Sequence, residues 1–183
     1  MLIIRENLRI RNATVDDAEL LCHWWNDGKV MAHAGFPLGL GTDPETVRQQ
    51  MQSYSDDAGR CLIIEIAGKT RDAPIGEMNY RNVGSGVAEI GIKICEPGQQ
   101  GKGYGPVLLR MLITNLFHDF GYEKIMLDTN LNNTRAQHVY EELGFCKLRV
   151  RHNAWRDQLG APQSAVDYEL TKAAFDAIDT EAL

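Results

Sequence analysis

The sequence predicts an α/β (α+β) chain folded as a single domain over residues 1–183, built on a mixed, mostly antiparallel central sheet. That sheet has about seven strands and is flanked by helices. Three observations lead to this class. Short β-rich runs separated by turn signals fill the middle of the chain. A glycine-rich junction at residues 94–111 joins one of these runs to an apolar helix. The C-terminal third then alternates strand, helix and strand.

Residues 8–12 alternate apolar and polar side chains and read as the first strand. Residues 15–27 follow as an amphipathic helix with Thr14 at its N-cap. Thr42-Asp43-Pro44-Glu45 starts a second helix, with proline in the first turn where a backbone N–H has no partner to lose, and this helix runs to near Ser55. Residues 60–67 and 75–81 are strands joined by a polar turn at 68–74. Gly84-Ser85-Gly86 signals a hairpin, from which residues 87–94 return. The helix expected over 105–120 is apolar at Val107, Leu108, Met111, Leu112, Leu116 and Phe120, so one face packs on the sheet. Residues 124–129 form a strand and 133–143 a helix; 146–153 and 166–170 are the last strands.

The junction, ICEPGQQGKGYGPVLLRM, carries most of the functional information. Gly101, Gly103 and Gly105 alternate just before the helix. Glycines let the backbone come close to a ligand and take φ > 0. The helix beyond offers unpaired N–H groups and a partial positive charge, which suits a phosphate or pyrophosphate. A Walker A loop needs four residues between its first glycine and Gly-Lys; here two separate Gly98 from Gly101, and that reading fails. A Rossmann loop needs G-x-G-x-x-G in an opening βαβ unit; G-x-G-x-G in mid-chain after a meander fits it poorly.

A third pattern, Gln/Arg-x-x-Gly-x-Gly/Ala, matches Gln100-Gly101-Lys102-Gly103-Tyr104-Gly105 position by position. Downstream, residues 130–145 read NLNNTRAQHVYEELGF: Asn133 opens a helix, Tyr140 comes seven residues later and Gly144-Phe145 closes it. With both signatures in this order, nearly the whole chain resembles the GNAT N-acetyltransferase superfamily. Within it, the N-terminal third resembles the branch containing ribosomal-protein N-terminal-amine acetyltransferases. The cues are Leu8-Arg-Ile-Arg11, Asp16-Asp17-Ala18, Trp24-Trp25-Asn26-Asp27 and the closing Asp167-Tyr-Glu-Leu-Thr171. Many members of that branch carry a serine where this chain has Ala136, which leaves more weight on Tyr140.

The resemblance implies an acetyl-CoA-dependent transferase, and the lack of secretory features in the sequence points to the cytoplasm. The pantetheine arm of coenzyme A would pair with main-chain groups of Ile92 and Ile94. Main-chain N–H groups from Gln100 through Gly101, Lys102, Gly103 and Tyr104 to Gly105 would bind the pyrophosphate, with Asn133, Arg135 and the Lys102 side chain assisting. Asn133 would also serve as a helix N-cap. A neutral primary amine would attack the thioester directly in a ternary complex, with Tyr140 as proton donor to the departing CoA thiolate. The resemblance makes Glu89 the expected base and Glu77 a second candidate; burial raises a carboxyl toward the operating pH. Trp25, His33, Phe36 and Glu77 are expected at the acceptor site, with Trp24, Trp155 and Asp27 as further candidates, beside the glycine-rich loop 31–41. The acceptor would be a small-molecule amine or a protein N-terminus, and homodimers are frequent in the family. A noncatalytic acyl-CoA-binding module is the alternative.

Composition agrees with an ordinary globular domain: 44% hydrophobic and 24% charged residues, with a net charge of −6. The negative charge argues against nonspecific nucleic-acid binding. No apolar run approaches the roughly 20 residues that span a membrane. Met1-Leu-Ile-Ile4 is too short for a signal-peptide core. Cys22, Cys61, Cys95 and Cys146 are dispersed, with no C-x-x-C pair, and are expected as free thiols.

Overall fold

The structure, a computed structural model, describes residues 1–181. One eight-stranded sheet runs β1-β2-β3-β4-β5-β6-β8-β7. Its strands are β1 (Leu2–Arg5), β2 (Leu8–Asn12), β3 (Gly59–Ile66), β4 (Ala73–Gly84), β5 (Val87–Ile94), β6 (Lys124–Asn130), β7 (Cys146–Arg156) and β8 (Pro162–Thr171). Every neighbouring pair is antiparallel except β5 and β6. The helices are α1 (Ala18–Asn26), α2 (Gly28–Met31), α3 (Pro44–Gln52), α4 (Tyr104–His118), α5 (Thr134–Glu142) and α6 (Lys172–Glu181).

Seven strands follow the sequence reading; the eighth is β1. Its four residues make a hairpin with β2, so the apolar run at the start is an edge strand. The helix expected over 15–27 is split. Val15–Asp17 is a 3₁₀ turn after Thr14, which sits in extended backbone as its N-cap, and α1 begins at Ala18. Loop 31–41 is partly helical, since Ala32–Ala34 makes a further 3₁₀ turn. Strands β7 and β8 are longer than expected, and α6 lies beyond the last predicted element.

The sheet is covered on both faces, which explains the near-continuous apolar run in β3. Leu62 and Ile64 face α4 together with Ile10, Met78, Tyr80, Ile90 and Ile125. Cys61 and Ile63 face the other way, against Leu21, Trp24 and Trp25 of α1 and Val47 and Met51 of α3. Helix α4 presents fully buried Leu108, Leu112, Ile113 and Leu116 to the first core, and Phe117 meets Phe175 of α6 at 5.6 Å. Truncating such a leucine to alanine costs about 2–5 kcal/mol.

One topological feature positions everything below. Strands β5 and β6 pair only at Val87, Ala88 and Glu89, opposite Lys124, Ile125 and Met126, and then part. Beyond that fork the edge of β5 is open from Ile90 to Ile94.

Candidate active site

A cavity of about 690 Å³ occupies the fork, walled by β5, the glycine loop, the start of α4, β6 and α5. The β5 edge inside it is a main-chain recognition strip. The Cys95 N–H bonds the Ile75 carbonyl at 2.9 Å, toward β4. Peptide groups alternate sides along a strand, so those of Ile92 and Ile94 face the cavity. The Ile94 carbonyl accepts from the Gln100 side chain at 2.8 Å, which folds the loop back over the strand end.

Gly101 and Gly103 take φ of 78° and 81°, the left-handed region that suits glycine. Gly103 is the N-cap of α4 and no side chain caps that helix, so its first N–H groups are left for a ligand. A Cβ at Gly101 would stand 4.0 Å from the Arg135 guanidinium, which brings a cation to the rim of the loop. Asn133 caps α5, accepting from the Ala136 N–H at 3.2 Å, and lines the cavity as well. Lys102 is not among the residues lining this cavity; its Nζ donates at 2.8 Å to Gln99, which does line it, and the residue borders a smaller recess of about 260 Å³ beside Arg5.

Tyr140 is buried in the cavity wall, edge-on to Phe145 at 5.9 Å and to Tyr168 at 5.8 Å. Burial, helped by the charge of Asp128, pushes its hydroxyl up to about 12, so it stays protonated at any ordinary pH. Asp128 stands on the same cavity wall, at the end of β6. Its carboxylate is bound by Arg151 at 2.6 Å, and Arg151 reaches on to Asp167 at 2.8 Å, which Arg149 also holds at 2.7 Å. Partial desolvation pushes the Asp128 carboxyl upward, Arg151 opposes it, and the net shift is up.

The two expected bases lie elsewhere. Glu89 sits on β5 before the fork, exposed, gripped by Arg81 through both oxygens at 2.9 and 3.0 Å, and outside the cavity wall. Glu77 is buried on the α1 side of the sheet, where it accepts from Trp25 Nε1 at 2.8 Å and Lys93 Nζ at 2.9 Å. Burial works against the Lys93 charge, yet Glu77 outweighs it and holds Lys93 above its usual value. This is a packed ion pair and not an open carboxylate.

Of the expected acceptor residues, His33 lines the cavity, as does Trp155, whereas Trp25 and Phe36 do not. Trp25 points into the α1–α3 core and Phe36 packs against its edge. Trp24 is anchored to Glu96 at 2.9 Å, and Asp27 caps α2 through the Lys29 N–H at 2.7 Å. Sequence reasoning missed Lys29, Asp128 and Arg151. For Asp128 a signal existed: alternation in β6 sets Lys124, Met126 and Asp128 opposite the core residues Ile125 and Leu127.

The cavity wall at Trp155 is a locked corner. Gly35, at φ 97°, lies so close under the Trp155 ring that a Cβ there would come within 2.5 Å of it. Gln158 ties the same loop to the β7–β8 hairpin: its N–H donates to the Gly35 carbonyl at 2.8 Å and its side chain bonds Leu38 N and Gly39 O, each at 3.0 Å.

Comparison with known proteins gives a consistent picture. Residues 7–146 match the family described as the acetyltransferase (GNAT) domain. The chain is 26% identical over 146 residues to the uncharacterized N-acetyltransferase p20 of Bacillus licheniformis, covering 78% of this chain and 80% of that one. It is 27% identical over 152 residues to the aminoglycoside N(6′)-acetyltransferase type 1 of Klebsiella pneumoniae, covering 76% and 74% respectively. The fold is similar to the spermidine N-acetyltransferase of Vibrio cholerae in complex with CoA and spermine. Its TM-score is 0.83, over 93% of this chain and 99% of that one, at 21% identity.

Proposed function

The chain belongs to the GNAT acetyltransferase family and is an acyl-CoA-dependent N-acetyltransferase, and we propose that it acetylates a primary amine with Asp128 as base and Tyr140 as acid. What carries this reading is the convergence, in one cavity, of an unpaired β5 edge, a glycine loop opening a helix, an ionisable carboxylate and a protonated tyrosine.

Bound acetyl-CoA supplies an activated acetyl thioester. Ile92 and Ile94 would hold its pantetheine arm through main-chain groups, and the N–H groups at 101–105, with Arg135 and Asn133, would take the pyrophosphate. Asp128 accepts a proton from the acceptor amine, directly or through one water, as the new C–N bond forms. Tyr140 gives its hydroxyl proton to the sulfur as the C–S bond breaks, and regains a proton from solvent afterwards. A tyrosine kept protonated by burial and a carboxyl raised by desolvation are matched to these opposite tasks. Asp128 is paired with Arg151 as Glu89 is with Arg81 and Glu77 with Lys93, but it alone of the three lines the cavity, which favours it for the base role.

The acceptors named in the relatives, an aminoglycoside and spermidine, are small amines. The ribosomal-protein branch that the N-terminal third resembles adds a protein N-terminus. All three present a primary amine. The deciding experiment is thiol release from acetyl-CoA against a panel of amines, repeated with Tyr140→Phe. We expect kcat to fall about a hundredfold, a usual contribution from a positioned acid, with CoA affinity unchanged. Full activity in Tyr140→Phe would exclude the tyrosine as donor.

A further inference from the structure

The acceptor end of the cavity is bordered by Lys29, His33, Trp155 and Asp128. Asp128 is the one carboxylate on the wall among the described residues, and Arg151 already binds it at 2.6 Å. Nearby acids are likewise engaged. Glu89 is bridged by Arg81, Glu77 by Lys93, and Asp167 by Arg149 and Arg151. Asp27 caps α2 through one oxygen and lies outside the cavity wall. The cations are not balanced in the same way: among the described residues the Lys29 ammonium has no hydrogen-bond or ion-pair partner, and Lys29 borders the cavity.

The position of Lys29 is fixed by its backbone. Asp27 accepts its N–H at 2.7 Å, and Gly28 is pressed so close to the Pro37 carbonyl that a Cβ there would come within 2.0 Å of the oxygen. Helix α2 therefore fixes the point on the cavity wall from which this exposed side chain extends. A polycationic acceptor would find on the wall, among the described residues, one carboxylate already paired with Arg151, and would bring like charge toward Lys29. An acceptor carrying an anion finds a match: its amine reaches toward Asp128 and Tyr140 while its anion meets Lys29.

We propose that the acceptor is a primary amine that also carries a carboxylate, recognised by Lys29 at the cavity mouth. Amino acids and acidic peptides have this chemistry; diamines and polyamines do not. The inference rests on the acetyl-transfer reading above and narrows its substrate class.

The test uses the full chain and acceptors matched in length. Acetyl-CoA binding is first measured by calorimetry. 4-Aminobutanoate, butane-1,4-diamine, spermidine, free glutamate and a glutamate-initiated dipeptide are then compared, by thiol release and by binding to the CoA-loaded protein. We expect the carboxylated amines to exceed the matched diamine by at least about tenfold in kcat/KM, the effect of one charge-assisted contact. The dipeptide and the free amino acids separate a peptide source from a metabolite. Lys29→Glu should reverse the preference through KM, leaving CoA affinity unchanged. Diamine preference in the wild type, or a Lys29→Glu variant with an unaltered preference, overturns the inference while leaving acetyl transfer standing. Failure to bind acetyl-CoA overturns both, and a CoA-loaded protein that neither binds nor acetylates any carboxylated amine overturns the inference.

Discussion

Asp128 owes its proposed role to a neighbour that pulls it the other way. Partial desolvation raises its carboxyl, which is still largely exposed, and Arg151, at 2.6 Å, opposes that rise. The carboxyl must be ionised to accept a proton, so whatever raises it further removes active enzyme at low pH. Arg151→Gln should therefore move the acidic limb of kcat/KM upward and leave the plateau above it intact. On the limb the loss should reach up to about fivefold, since an ion pair open to solvent is worth about 0.2–1 kcal/mol. Arg149→Gln is the control, because Arg149 touches Asp167 and not Asp128. Profiles measured with the same acceptor cancel the titration of the amine itself. An acidic limb that stays in place in Arg151→Gln would show that some other group sets it.

Between elements, the junction of β2, the Val15–Asp17 turn and β3 turns on one carboxylate. Asp17 receives two bonds from Arg11, at 2.7 and 2.8 Å, and the Thr14 N–H at 2.8 Å, while Arg11 also reaches Glu65 of β3 at 2.9 Å. Burial acts to raise the Asp17 carboxyl, but Arg11 and Thr14 prevail and hold it below its usual value. A carboxylate depressed in the folded state adds stability that is fully present above its unfolded pKa and is lost as pH falls through the folded one. Asp17→Asn should cost about 2–3 kcal/mol at pH 7, the range for bonds to a charged group. The gap between variant and wild type should narrow progressively as pH falls below 3.8; denaturant melts at pH 7 and at a series of values below 3.8 check both halves. This junction also shows how far local sequence could be read. Thr14 and the acids after it announced a helix start, and the glycines announced the loop before α4, because caps and left-handed turns are decided by a few adjacent residues. Which way Trp25, Glu77 and Phe36 point was not legible in the same way. Their facing depends on α1 packing across the sheet, and β4 is covered on both faces, so alternation alone did not tell an open carboxylate from a buried pair. Asp128 lay on a strand whose polar face was readable, but the parting of β5 and β6 that exposes it is a property of the sheet.

Across the molecule, the cavity sits where the two parts of the sheet separate. β1 to β5 stand on one side and β6 to β8 on the other, joined at the fork by a ladder of Val87, Ala88 and Glu89. A second tie crosses the mouth where Gln158 and Trp155 hold the loop at Gly35. A ligand seated against β5, the glycine loop and α5 thus links elements from both sides, and binding to the folded chain alone must raise its thermal stability. At a concentration one hundred times its Kd, CoA adds about 2.7 kcal/mol, which for a domain of this size raises Tm by roughly 5–10 °C. The way this stabilisation fails will reveal how the loop works. Gly103 has open space around it but a φ of 81°, so Gly103→Ala strains the backbone that presents the N–H groups. That should cost about 1–3 kcal/mol, seen as a modest drop in the unliganded Tm and a CoA-induced rise at most half that of the wild type at equal CoA concentration. Lys102→Ala removes a side chain that is engaged with Gln99 and borders the smaller recess, and the rise should persist. Thermal melts of the three proteins with and without CoA separate the cases: a loss confined to Lys102→Ala would mean that the phosphates are held by the lysine and not by the main chain.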